Sequence, residues 1–284
     1  MEKKRNKKNK ILSIMTSIFL CVIAIAGGYV CGNLIASKRY PVSTYANIDP
    51  ANLRDDIESI DLSGKTPADF NGAVLFQIAE KVQEESRNYE IIGIGTIQTS
   101  LGIQQSSYTL DKRTGDDLYF KFVTYSSLVK VAKQSSYQLG GNVIINDGNP
   151  KDAEAKNVNW TNTYNEYTWE GYKEEFGKYA NHNCSYIVST KTATSCSEVE
   201  KDGDLYKCSI ELDTTLGCVV FAIQIGANMG VDPETVTFNK VAFTFWVDEN
   251  FRFVKQEKFE SYTVPYMGVN VTLDGNINLT YAIK

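Results

Sequence analysis

Val241, Phe243, Phe245 and Val247 alternate with polar or small neighbours, and so do Val269, Val271 and Leu273, followed by Ile277, Leu279, Tyr281 and Ile283. Period two marks a strand with one buried and one wet face. The Asp248-Glu249-Asn250 loop sets Val247 against Phe251 and Phe245 against Phe253. A three-residue Asp274-Gly275-Asn276 loop sets Leu273 against Ile277, Val271 against Leu279 and Val269 against Tyr281. Matched faces decide both registers, because a one-residue slip would expose the whole apolar set. Five earlier runs read the same way: Tyr89–Ser100, Ile103–Asp111, Asp117–Tyr125, Leu128–Gln138 and Asn142–Asn146. They are rich in Tyr, Ile, Val, Thr and Phe and are parted by Gly, Asp and Asn, the spacing of an antiparallel meander. A sheet that is apolar on one side must be covered, and helices are the available cover.

Three segments carry a helical signal. Thr66-Pro67-Ala68-Asp69 offers an N-cap, a proline at the first helical position and an acid in the first turn. Phe70, Val74, Leu75, Ile78, Ala79 and Val82 then recur at helical spacing, ending near Arg87. Trp169, Tyr172, Phe176 and Tyr179 make a one-sided stripe that predicts a helix over 169–179. Residues 216–229, LGCVVFAIQIGANM, are apolar nearly all round and read as a buried helix stopped by Gly230. The stretch 147–165 reads as a polar insertion.

Charge is unevenly placed. Residues 1–39 hold eight of the 29 Lys/Arg and one of the 34 Asp/Glu, so residues 40–284 are left with 21 and 33, a net of −12. A body this acidic lacks the basic footprint that nucleic acid requires. Residues 1–10 form a basic tail, and residues 11–36 carry no charged side chain. About 20 apolar helical residues span a bilayer, so 11–36 predicts a transmembrane anchor, with the N-terminus cytoplasmic and the body extracytoplasmic. The alternative is a signal peptide cleaved after Ala24-Ile25-Ala26. Residues 37–65 read as a spacer and 66–284 as a single domain. The expected fold class is α+β: an N-terminal transmembrane helix, then a curved, half-barrel-like antiparallel sheet covered by two or three helices.

Four cysteines lie beyond the apolar run: Cys184, Cys196, Cys208 and Cys218. An even number outside the cytoplasm suggests two disulfides. A Lys201-Asp202-Gly203 hairpin loop sets Glu200 against Asp204, Val199 against Leu205 and Cys196 against Cys208, leaving Cys184 to Cys218. Free buried thiols and a four-thiolate zinc site are the alternatives, the latter disfavoured by the lack of a C-x-x-C knuckle. Catalytic constellations are missing. The one histidine, His182, sits in a polar loop, and there is no G-x-S-x-G elbow, P-loop or H-E-x-x-H. The reading is therefore of a protein that is not an enzyme and has no cofactor and no metal.

The stretch from Phe243 through Trp246-Val247-Asp248-Glu249-Asn250-Phe251 to Glu257, ending at Glu260-Ser261-Tyr262-Thr263-Val264, resembles the closing hairpin of LolA/LppX-like envelope proteins. Such proteins wrap a curved antiparallel half-barrel around helices and carry lipid or lipoprotein acyl chains between the two layers. The resemblance implies the same for residues 66–284: a non-catalytic, membrane-anchored envelope protein binding lipid or lipoprotein. Phe221, Gln224, Ile225 and Asn228 of the apolar helix, with Phe243 and Phe245 of the sheet, would line the ligand space. The alternative is a structural or interaction module with the same fold and a solid core.

Overall fold

A computed structural model describes residues 48–283 apart from 127–129, 153–156, 177–179, 181–185, 230 and 267–268. Its centre is an antiparallel sheet of twelve strands. The strands are β1 (Asn88–Thr99), β2 (Gln104–Thr114), β3 (Asp117–Tyr125), β4 (Lys130–Gln138), β5 (Val143–Pro150), β6 (Val158–Tyr167), β7 (Ala193–Cys196), β8 (Glu200–Asp202), β9 (Leu205–Leu212), β10 (Thr237–Val247), β11 (Phe253–Tyr266) and β12 (Val269–Ile283). The order across the sheet is β6-β5-β4-β3-β2-β1-β12-β11-β10-β9-β7, with β8 paired to β9 off that path. Among the described residues three α-helices accompany it: α1 (Gly72–Glu85), α2 (Trp169–Phe176) and α3 (Val219–Met229).

This corrects the expected α+β class. Strand dominates, and the helices are few and short beside a continuous sheet. Among the described residues no helix is long and apolar enough to cross a membrane. The run 11–36, expected to be a transmembrane helix, lies outside the described residues. The stretch 147–165, expected as a polar insertion, supplies the end of β5 and most of β6. β6 is an edge strand, exposed along most of its length. Only Val158 and Trp160 at its start pack on the sheet, and from Thr161 to Glu166 it is exposed on both faces, so its alternation is too short to read.

The expected hairpin at Asp274-Gly275-Asn276 does not form. β12 runs straight through it, with Gly275 opposite both Ile97 of β1 and Glu260 of β11. Gly275 falls in the same parity as Val271, Leu273, Ile277 and Leu279, so an unbroken strand keeps those side chains on one face as well as a three-residue turn would. The unbroken strand also gains partners on both sides. The β10–β11 turn differs too. Val247 pairs with Phe253 across a bulge, and Phe245 with Gln256. Asp248 accepts hydrogen bonds at Oδ1 from the N–H groups of Asn250 and Arg252, both at 2.9 Å. Phe251 adopts φ of 62°, held there by burial against Phe70, with ring centroids 5.7 Å apart.

The first helix signal splits in two. Thr66–Asp69 closes as a short turn, the Thr66 N–H donating to the Asp69 carboxylate at 2.7 Å. α1 then starts at Gly72 behind the N-cap Asn71, whose Oδ1 accepts from the Ala73 N–H at 2.9 Å. One face of the sheet carries the two main clusters of the core, and a small third one, Val123 and Ala132 with Tyr108, Val158 and Trp160 against them, lies on the other face. α1 and α3 cover the larger main cluster, with Leu75, Phe76, Phe221, Ile225, Phe245 and Leu273 among its members. The smaller main cluster joins Leu118, Phe120, Tyr137, Val143 and Ile145 to Tyr172 of α2. Between them the inward positions turn polar or small: Gly93 and Gly95 on β1, Gln105 and Ser107 on β2, and Thr124 on β3.

Candidate functional site

The larger cluster holds several of the residues that the sequence reading assigns to a ligand space. α3 begins after a turn in which Asp213 Oδ1 accepts from the N–H groups of Thr215 and Leu216, at 2.8 and 2.6 Å. Its Phe221 and Ile225 fall one turn apart and are both buried. Phe243 and Phe245 face the same interior from β10. So four of the six expected lining residues converge. The side chains of Gln224 and Asn228 lie outside what the structure describes.

Aromatic rings dominate this interior. Phe221 meets Tyr186 at 5.2 Å, Phe238 at 5.7 Å and Tyr262 at 5.7 Å between centroids, and Tyr186 meets Phe243 at 5.6 Å. Edge and tilted contacts of this kind are the preferred geometry of aromatic pairs.

A charged network borders the rings. Glu260, 1% exposed, points inward from β11. Its Oε2 accepts the Tyr186 hydroxyl at 2.6 Å and pairs with Lys258 Nζ at 2.8 Å. The Lys258 ammonium also lies 5.1 Å from the centroid of the Tyr186 ring. Burial, and then the neighbouring Glu260 charge, push the Tyr186 hydroxyl well above its ordinary value, so it remains a donor. Sequence reading missed this network. A signal was present: Gln256, Lys258 and Glu260 occupy the inward parity of β11 ahead of Tyr262 and Val264, where apolar residues are expected. Tyr186 gave no signal, because it belongs to an irregular segment.

The cysteine hairpin is only partly as expected. Glu200 pairs with Lys207 and Asp202 with Leu205, so the turn is the two residues Gly203-Asp204, with Gly203 at φ 64°. A two-residue turn with a glycine at positive φ matches the strand twist better than the three-residue loop predicted from sequence. β7 pairs with β9 in a register of its own, which puts Cys196 opposite Ile210, not Cys208. Even so, the two thiols are diagonal neighbours on one face, with their sulfurs 3.7 Å apart. Cys218 is a free, buried thiol, which burial pushes up from the ordinary value. Cys184 and His182 lie outside the described residues. Among the described residues no group of His, Cys, Asp and Glu is arranged to hold a metal ion. A shallow, open depression of about 450 Å³ lies at the far side of the sheet, bordered by Lys112, Tyr119, Tyr137, Gln138 and Ile144, and includes none of the expected lining residues.

No family model and no curated protein matches this chain. Among solved structures there is a weak resemblance to a LolA superfamily protein, NE2245 from Nitrosomonas europaea. It is 11% identical, covers 75% of this chain and 92% of that one, and has a TM-score of 0.24. The ywiB protein from Bacillus subtilis is 8% identical over 70% of this chain and 93% of that one, with a TM-score of 0.16. Similarity this slight carries no conclusion about function.

Proposed function

We propose that the protein is a non-catalytic, extracytoplasmic binding protein that takes an acyl chain between α3 and the sheet. One observation carries the reading: an aromatic interior under the apolar side chains Phe221 and Ile225 of α3 borders a buried charged network, Tyr186–Glu260–Lys258. An amphiphile presents the matching pattern, an apolar tail with a polar head. Ligand sites in general combine mostly apolar walls with a few fixed polar groups. The basic residues 1–10 and the uncharged run 11–36 support export of the chain beyond residue 36.

The ring contacts around Phe221 favour a second reading, in which the same interior is solid core and the protein acts through its surface. One substitution separates them. Ile225 is fully buried on α3. If the interior accommodates an acyl chain, Ile225→Trp leaves the melting temperature nearly unchanged and removes lipid retained by the wild-type chain in native mass spectrometry. If the interior is solid, the same change overpacks it, destabilises by roughly 1–3 kcal/mol, and both proteins show a clean apo mass. The first result supports lipid binding; the second ends it.

A further inference from the structure

We propose that Cys196 and Cys208 form a reversible dithiol–disulfide couple built on the N-terminus of α1, able to exchange with the disulfide of a small thiol or of another protein. Three observations converge. The two sulfurs are in contact at 3.7 Å. They differ in access: Cys196 is half-buried on the edge strand β7, whereas Cys208 on β9 is 1% exposed. And the pair is seated under the first residues of a helix. The backbone of Gly72, the first residue of α1, packs directly against both sulfurs, at the helix end where backbone N–H groups face outward.

Gly72 makes that approach possible. A Cβ there would collide with the sulfurs of both cysteines, lying 2.6 Å from that of Cys196. Glycine here serves close approach of backbone to sulfur, not a turn.

The chemistry rests on the difference in access. The thiolate is the nucleophile in exchange. The Cys208 thiol beside it, and then the two backbone N–H groups, bring Cys196 down to about 6, against burial, which opposes ionisation. The Cys208 thiol is pushed up, because it is the proton donor in that contact and is buried. Cys208 is further held by Ser197, whose hydroxyl donates to its sulfur at 3.6 Å and whose carbonyl oxygen lies 3.4 Å from it as an alternative acceptor for the same proton. The Cys196 thiolate attacks one sulfur of a disulfide R–S–S–R, forming a Cys196–S–S–R bond and releasing R–S⁻. Cys208 then gives up its proton and attacks the Cys196 sulfur, forming the Cys196–Cys208 bond and releasing the second R–S⁻. Two electrons pass from the protein dithiol to the substrate, which ends as two R–SH once protons are taken up. Stabilising the Cys196 thiolate favours the reduced protein, so the bridge is more easily reduced than an inert structural disulfide.

The test uses the full chain with oxidised and reduced glutathione as the probe, read by differential alkylation and peptide mass spectrometry. Cys196 should alkylate with a pH midpoint near 6, well below the ordinary thiol value of about 8.5. Wild-type chain in oxidised glutathione should yield the intrachain bridge without retained glutathione. Cys208→Ser should instead retain one glutathione on Cys196, and Cys196→Ser none on Cys208. A Cys196 midpoint at or above the ordinary value would overturn the proposal. So would a bridge that stays closed in a large excess of reduced glutathione, since that describes a structural staple. The midpoint and the redox titration need only wild-type protein, so a variant that fails to fold leaves the test intact.

Discussion

Replacing Glu260 by alanine is expected to destabilise the protein by about 3–5 kcal/mol, measured by denaturant unfolding. The carboxylate is 1% exposed and accepts from Tyr186 and Lys258. Its removal leaves an ammonium whose side chain is 17% exposed, and a buried hydroxyl, both without that acceptor. The desolvation penalty of stranded groups, more than the lost attraction, sets the size of the effect. Two companion variants divide it. Glu260→Gln keeps an acceptor for the Tyr186 hydroxyl while removing the charge, and should fall between wild type and alanine. Changing Glu260 and Lys258 together to methionine removes both charges and should recover much of the loss, because a buried ion pair often contributes little net stability over apolar residues of similar volume. A Glu260→Ala loss below about 1 kcal/mol would show that water reaches the network.

The strands were legible where alternation and turn residues agreed. Asp117–Tyr125 is recovered to the residue, and the opening strands nearly so. Legibility failed where a residue had two physical uses. Asp274-Gly275-Asn276 has turn composition, yet Gly275 is in phase with the buried face, and parity alone cannot tell a three-residue turn from an unbroken strand. β6 was missed for the opposite reason. An exposed edge strand needs backbone partners but little apolar face, so Val158–Tyr167 carries only the short alternation of Val158 and Trp160 before turning polar. The cysteines show a third kind of failure. Their proximity is legible in the sequence, but through the wrong register. It comes from a diagonal across β7 and β9, and their relation to Gly72 is a contact between distant parts of the chain. Nothing in the local sequence around 196–208 points to residue 72. In the larger core cluster, Phe221, Ile225, Phe243 and Phe245 were legible, because their residue types are distinctive. The Tyr186–Glu260–Lys258 network was hidden because Glu260 and Lys258 look like ordinary surface charges until β11 is given its register.

Phe76 joins the two proposed activities, and its truncation carries the other large effect. It projects from α1 into the sheet and meets Phe253, Phe245 and Phe243 at centroid separations of 5.1, 5.3 and 5.7 Å. It is 5% exposed, so truncation leaves a cavity that its neighbours fill only in part. Phe76→Ala should therefore cost about 3–5 kcal/mol, and Phe76→Leu, which retains most of the volume, distinctly less. The same side chain holds α1 against the strands, and α1 begins at the residue whose N–H reaches the Cys196 sulfur. Loosening the helix weakens that donor, so in Phe76→Leu the Cys196 alkylation midpoint should move up toward the ordinary thiol value while the chain still folds. A Phe76→Ala loss under about 1 kcal/mol would mean that α1 is not seated on these rings. A normal loss with an unmoved Cys196 midpoint would mean that Gly72 and Ala73 keep their place without the helix behind them.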